Sequence, residues 1–159
     1  MDQDKALRQQ LIELLKGGNA HVKFEDAIED FPQALRGQKA ANLPHSGWML
    51  LEHLRIAQWD ILEFSRDRKH KSPDWPKGYW PATSDAPSAE QWNASIKQFH
   101  SDRKTMEELI KDPKTDLFAK IPWGDGQTIL REALLVADHN AYHVAQIVDV
   151  RRLLGAWEK

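Results

Sequence analysis

The chain has 159 residues with no cysteine, and 22 Lys plus Arg against 24 Asp plus Glu leave a net charge of -2. That length fits one domain able to bury a core without disulfides or structural zinc, and the missing thiol excludes a disulfide framework, a Cys-based zinc site and a protein thiol nucleophile. The weak, mixed charge argues against a nucleic-acid-binding module, which carries a basic face or stripe; with no run of ~20 apolar residues for a membrane span and no secretory-type apolar stretch in the opening MDQDKALRQQ, the expectation is a soluble cytoplasmic protein without nucleic-acid or membrane partners.

In chain order, Leu7, Leu11, Leu14 and Leu15 repeat at helical spacing across Asp4 to Lys16, and Gly17-Gly18 ends that first long helix. A shorter amphipathic piece spans Phe24 to Phe31 and stops at Pro32, and the polar stretch from Gln33 to Pro44 reads as a connection. Ser46 can cap a second long helix to about Arg66, because Gly47, Leu50, Leu51, Leu54, Ala57, Ile61 and Phe64 line one side. The following DRKHKSPDWPKGYWPATSDAPS holds four prolines and cannot be a helix interior. This long crossover carries Trp75, Tyr79 and Trp80, which favour an ordered loop packed on the bundle. Ser88 caps a third long helix over Ala89 to Lys111, with Trp92, Ile96, Phe99, Met106 and Leu109 as its apolar face, and Pro113 closes it. After the loop DPKTDLFAKIPWGDGQ, in which Phe118 to Ile121 is the one candidate strand, the last helix runs from about Gln127 to Leu154 and ends at Gly155. The fold class is therefore all-α: a four-helix bundle in a single domain spanning 1–159, with a long crossover between the second and third long helices.

Chemistry concentrates in the histidines. On the last helix, DHNAYH sets His139 and His143 one turn apart, with Cβ atoms about 5–6 Å from each other. At 100° per residue they align with Ile129, Val136, Ile147, Val150 and Leu154, which places both in the middle of the apolar stripe. Two neighbouring imidazoles in a core need hydrogen-bond partners or a metal. His53, at the margin of the apolar side of the second long helix, can face them across the bundle. Three neutral nitrogen ligands with an open position is the pattern of catalytic zinc, and nickel or iron accepts the same set. Two other metal motifs fail: Asn140 stands where a zinc peptidase's HExxH requires glutamate, and no histidine follows a glutamate by three, as di-iron carboxylate bundles require. P-loop, GxGxxG and GxSxG signatures are missing too.

The segments PHSGWMLLEHLRIAQWDILEF around His53 and GDGQTILREALLVADHNAYHVAQIV around His139 and His143 resemble the DinB-like or YfiT-like superfamily of metalloenzymes, nearly end to end. The resemblance implies a four-helix bundle holding a divalent metal, zinc or nickel, on three histidines, which map here onto His53, His139 and His143. Characterised members include transferases and isomerases that use a low-molecular-weight thiol such as bacillithiol or mycothiol. A chain without cysteine is compatible with such a co-substrate, since a metal can ionise an exogenous thiol.

Beyond the metal, Glu132 lies two turns before His139 on the same face, and Asp60 is similarly aligned with His53. Either could orient a ligand imidazole or act as a base, the simpler reading being an ion pair. His21, in the break after the first helix, is a candidate fourth ligand or proton carrier. His45 lies about 12 Å before His53 along a regular helix and is assigned to capping, and His70 and His100 read as solvated. Trp75, Tyr79, Trp80 and Trp123 either wall a pocket over the metal or seal the end of the bundle. The expected function is a metal-dependent transferase or hydrolase acting on a small molecule, with a homodimer as the expected assembly. The contrasting expectation is a non-catalytic, stress-related bundle in which the histidines hold metal for structure or pack the core.

Overall fold

A computed structural model describes residues 2–157. Among them are five α-helices and no strand: α1 (Gln3–Lys16), α2 (Phe24–Ile28), α3 (Gly47–Arg66), α4 (Ala89–Lys111) and α5 (Ile129–Leu153). Each long helix begins where a short polar side chain can take up an unpaired backbone N–H. Asp2 accepts from Asp4, Ser46 from Met49 and Thr128 from Arg131, while Ser88 and Gln91 form a reciprocal capping box. At the other end of α1, Gly17 takes a left-handed φ of 69° that a side chain would oppose, and its N–H closes on the Leu14 carbonyl.

These caps place α3 and α4 at the expected limits. The last helix starts later than expected, because Thr128 is the cap and Gln127 serves the loop before it, its carbonyl accepting the Ile121 N–H and its side chain the Asp125 N–H. The candidate strand at 118–121 does not form. Asp116 turns the chain there by accepting the N–H groups of Phe118 and Ala119, and an isolated bridge between Lys120 and Thr128 is what remains of β pairing.

The four long helices pack in the order α1–α4–α3–α5: α3 lies against both α4 and α5, and α1 closes the other side of both. Short α2 docks on α5. Gly47 opens α3 where a Cβ would come within 2.4 Å of the Phe31 ring, so the approach of the 24–31 segment requires glycine there. The apolar interior falls into two clusters. One gathers Phe24, Phe31, Trp48, Leu51, Leu54, Trp92, Phe99 and Ile147, and the other Leu11, Leu15, Leu62, Met106, Ile110, Ile129 and Val136. Between Leu54 and Leu62 on α3, and between Val136 and Val144 on α5, lies a polar layer. There buried Gln58 donates to the Phe99 carbonyl at 2.7 Å and accepts from Asn140 Nδ2 at 2.9 Å, linking α3, α4 and α5.

Two arginines close helix ends that the chain itself leaves open. Arg8 of α1 donates to the carbonyls of Ile110, Asp112 and Thr115 at the end of α4. Buried Arg151 of α5 donates to those of Ala27, Glu29 and Ala156, with its guanidinium over the rings of Phe31 and Trp157. No helix of the described residues is long and apolar enough to cross a membrane.

Candidate metal centre

The polar layer continues outward to the histidines. Five residues before Gln58, α3 carries His53; one residue before Asn140 and three after it, α5 carries His139 and His143. The three rings converge, with centroids 4.9 Å apart for His53 and His139 and 4.5 Å for each of the other two pairs. One ring nitrogen from each residue lies within 4.8 Å of those of the other two, and Nε2 of His53 and Nε2 of His139 are 3.1 Å apart. Two ligands on a tetrahedral zinc, each about 2.0–2.1 Å from the ion, lie about 3.4 Å from one another. The cluster is thus close to coordinating size before any ion is added.

Hydrogen bonds on the far side of two rings direct their free nitrogens inward. His53 Nδ1 lies 2.8 Å from the Tyr79 carbonyl, and since that oxygen can only accept, Nδ1 carries the proton and Nε2 the lone pair. His143 Nδ1 donates in the same way to Gln146 Oε1 at 2.7 Å. His139 Nδ1 is buried and makes no well-formed hydrogen bond, with the Asn140 side chain beside it and its Nε2 turned to His53. Burial, reinforced by its neighbours His143 and His53, pushes His139 down to about 4. Burial also brings His143 to about 4 against the opposing bond from Gln146, and lowers His53 despite the Tyr79 carbonyl. All three imidazoles are therefore neutral at pH 7, the form that binds metal.

The crossover covers this cluster. Trp80 stacks on His53 with ring centroids 4.1 Å apart and on His45 at 3.9 Å, and Tyr142 of α5 meets His143 edge-on at 4.9 Å. Of the aromatic residues expected over the metal, Trp80 and the backbone of Tyr79 are at the histidines. Trp75 is 75% exposed and touches Tyr79, while Trp123 donates to the Phe64 carbonyl and pins the second loop to the end of α3.

Several sequence expectations need correction. His143 lies within the buried stripe of α5, on the side of Val136, Ile147 and Val150, but His139 does not: it is half-buried at the margin, and the line through Ala133, Ala137, Asn140 and Val144 lies deeper. His45 does not cap α3: Ser46 does, leaving the His45 ring free to stack on Trp80. His70 is not solvated, because the chain turns back after α3 and brings its ring, with Nε2 2.7 Å from Asp60, against Trp59. His100 is half-buried against Phe24, with Glu25 and Arg103 beside its Nδ1.

The other candidates lie apart from the convergent nitrogens. Glu132 is buried and accepts from Arg131 at 2.7 Å. Seven residues of helix place it about 10 Å from His139 along the axis. Asp60 accepts from His70 and from the Tyr79 hydroxyl. Exposed His21 bonds the neighbouring Val22 carbonyl and edges a shallow cleft with Phe99 and Asn140. Two partners of the site were not anticipated. Gln146 sits at i+3 from His143, a spacing visible in sequence, whereas the Tyr79 carbonyl belongs to a backbone whose path no local pattern gives.

A helical bundle with three neutral histidines converging beneath its crossover is the class of protein that fold and site define. Residues 18–147 match the model of the DinB superfamily, most of the chain, and the protein belongs to that superfamily. No curated protein and no solved structure matches it.

Proposed function

We propose that the protein is a metal-dependent enzyme of small-molecule chemistry, a transferase using a low-molecular-weight thiol or a hydrolase, with a divalent zinc or nickel ion on His53, His139 and His143. The observation that carries this reading is the inward convergence of three neutral imidazoles, two of them oriented by outer hydrogen bonds at Nδ1. Ligand histidines are held in this way in metal sites, whereas imidazoles that only packed a core would be spread among separate partners. Three nitrogen ligands leave at least one position of a tetrahedral ion free for a reacting group.

When bound, the metal would act as a Lewis acid that lowers the pKa of a thiol or water and polarises an electrophile. The chain's own contribution is to hold its ligands neutral, to fix the tautomers of His53 and His143 through Tyr79 and Gln146, and to cover one face of His53 with the Trp80 ring. His139 is half-buried and Tyr142, edge-on to His143, is exposed, so a small molecule would reach the ion from that side of α5.

The test is an activity screen of the zinc- and nickel-loaded protein against small electrophiles, with and without added thiol, and against activated esters and amides. The reading predicts a turnover removed by a chelator, restored by metal and lost in His143→Ala. Metal-loaded protein that turns over none of these substrates favours the non-catalytic bundle.

A further inference from the structure

Seven residues beyond His53 on α3 lies Asp60, 8% exposed, with both carboxylate oxygens committed to the crossover. Oδ2 accepts the phenolic O–H of Tyr79 at 2.6 Å, and Oδ1 accepts from Nε2 of His70 at 2.7 Å. Each partner has further contacts: the His70 ring stands edge-on to Trp59 at 5.0 Å, and Tyr79 ends a 3-10 turn that begins at Lys77. Burial, then the adjacent carboxylate, pushes the Tyr79 phenol up to about 12, so it remains a donor.

Tyr79 is also the residue whose backbone carbonyl takes the proton of His53 Nδ1, and the next residue, Trp80, stacks on the same imidazole. One side chain of α3 therefore holds, at two points, the loop segment that orients a ligand on α3 two turns earlier. A carboxylate that served loop stability alone could bond any part of the crossover. This one bonds the residue that contacts the ligand, and a second anchor keeps the carboxylate from rotating.

We propose that Asp60, His70 and Tyr79 are positioning residues of the histidine centre: by clamping the crossover, Asp60 fixes the Tyr79 carbonyl against His53 Nδ1 and so sets the affinity for a divalent metal. This rests on the reading of His53, His139 and His143 as ligands. Outer hydrogen bonds of this kind change metal affinity by roughly 10–100-fold when removed. The clamp acts one bond further out, through a carbonyl that Tyr79→Phe leaves in place.

The experiment measures zinc affinity of the full-length protein at pH 7 by competition with a chromophoric chelator, together with the visible absorption of the cobalt-substituted form. Variants are Asp60→Asn, Tyr79→Phe, His70→Gln and His53→Ala, and the melting temperature of each is recorded without metal. Asp60→Asn and Tyr79→Phe are expected to bind zinc about tenfold or more weakly and to shift the cobalt bands, with His53→Ala losing the site. Affinity within twofold of wild type and unchanged cobalt bands in both, while His53→Ala loses metal, would overturn the clamp and leave it a loop support, whatever the melting temperatures. Wild-type protein that takes up neither ion, or His53→Ala that binds as well as wild type, would instead overturn the ligand assignment and the clamp with it. Should Asp60→Asn fail to fold, Tyr79→Phe, which removes a single oxygen, decides the question.

Discussion

Gln58 has both ends of its amide committed, to the Phe99 carbonyl and to Asn140, in a layer closed to water. Gln58→Leu keeps the approximate volume and strands the Asn140 amide, while the Phe99 carbonyl keeps its bond within α4. A loss of about 1–3 kcal/mol is expected, read as a lowered urea midpoint at constant slope, because a buried group left unpaired costs about that much. The histidines behave differently, since their cost depends on pH. In metal-free protein His139 and His143 are depressed to about 4 from an ordinary 6.5. The unfolded chain therefore binds more protons than the folded chain between those values, and stability is full above pH 6.5 and falls as pH drops toward 4. Urea midpoints of chelator-treated protein at pH 7 and pH 5 should differ, and the His139→Gln/His143→Gln double variant should reduce that difference. An equal pH effect in both proteins would contradict the burial of neutral imidazoles.

The helices show what the sequence carries and where it stops. Ser46, Ser88 and Thr128 each cap a long helix, and Gly17 ends α1. Capping chemistry is local, so the limits of α3 and α4 were legible. The HxxxH spacing was legible for the same reason, since residues one turn apart share a face whatever surrounds the helix. His70 was not. Its partner Asp60 is reached only after the chain leaves α3 and folds back through a segment without periodicity. The position of His139 off the buried stripe was equally hidden, because Asn140, polar but paired with Gln58, occupies the interior line that hydropathy assigned to the histidines. Arg151 is another such case: a basic residue in the last turn suits the helix dipole, yet it is buried and holds the carbonyls of α2. Arg151→Met keeps the bulk and removes those bonds. A loss of roughly 2–4 kcal/mol is expected from denaturant unfolding, and a change within 0.5 kcal/mol would show that the charge-to-carbonyl bonds contribute little.

At the scale of the molecule, the histidine centre joins α3 to α5 directly, and the crossover is drawn in through Tyr79 and Trp80. An ion bound there acts on the folded state alone and stabilises it by about 2.7 kcal/mol at a free concentration one hundred times Kd. Zinc or nickel should therefore raise the melting temperature of chelator-treated protein. The same addition should leave His53→Ala unmoved. The most direct measurement is metal content per chain, by elemental analysis of tag-free wild type beside His53→Ala, His139→Ala and His143→Ala after exposure to zinc and to nickel. The account predicts about one ion per wild-type chain and its loss in every variant. Wild type that holds no metal, or variants that hold as much as wild type, would contradict it and return the three histidines to core packing.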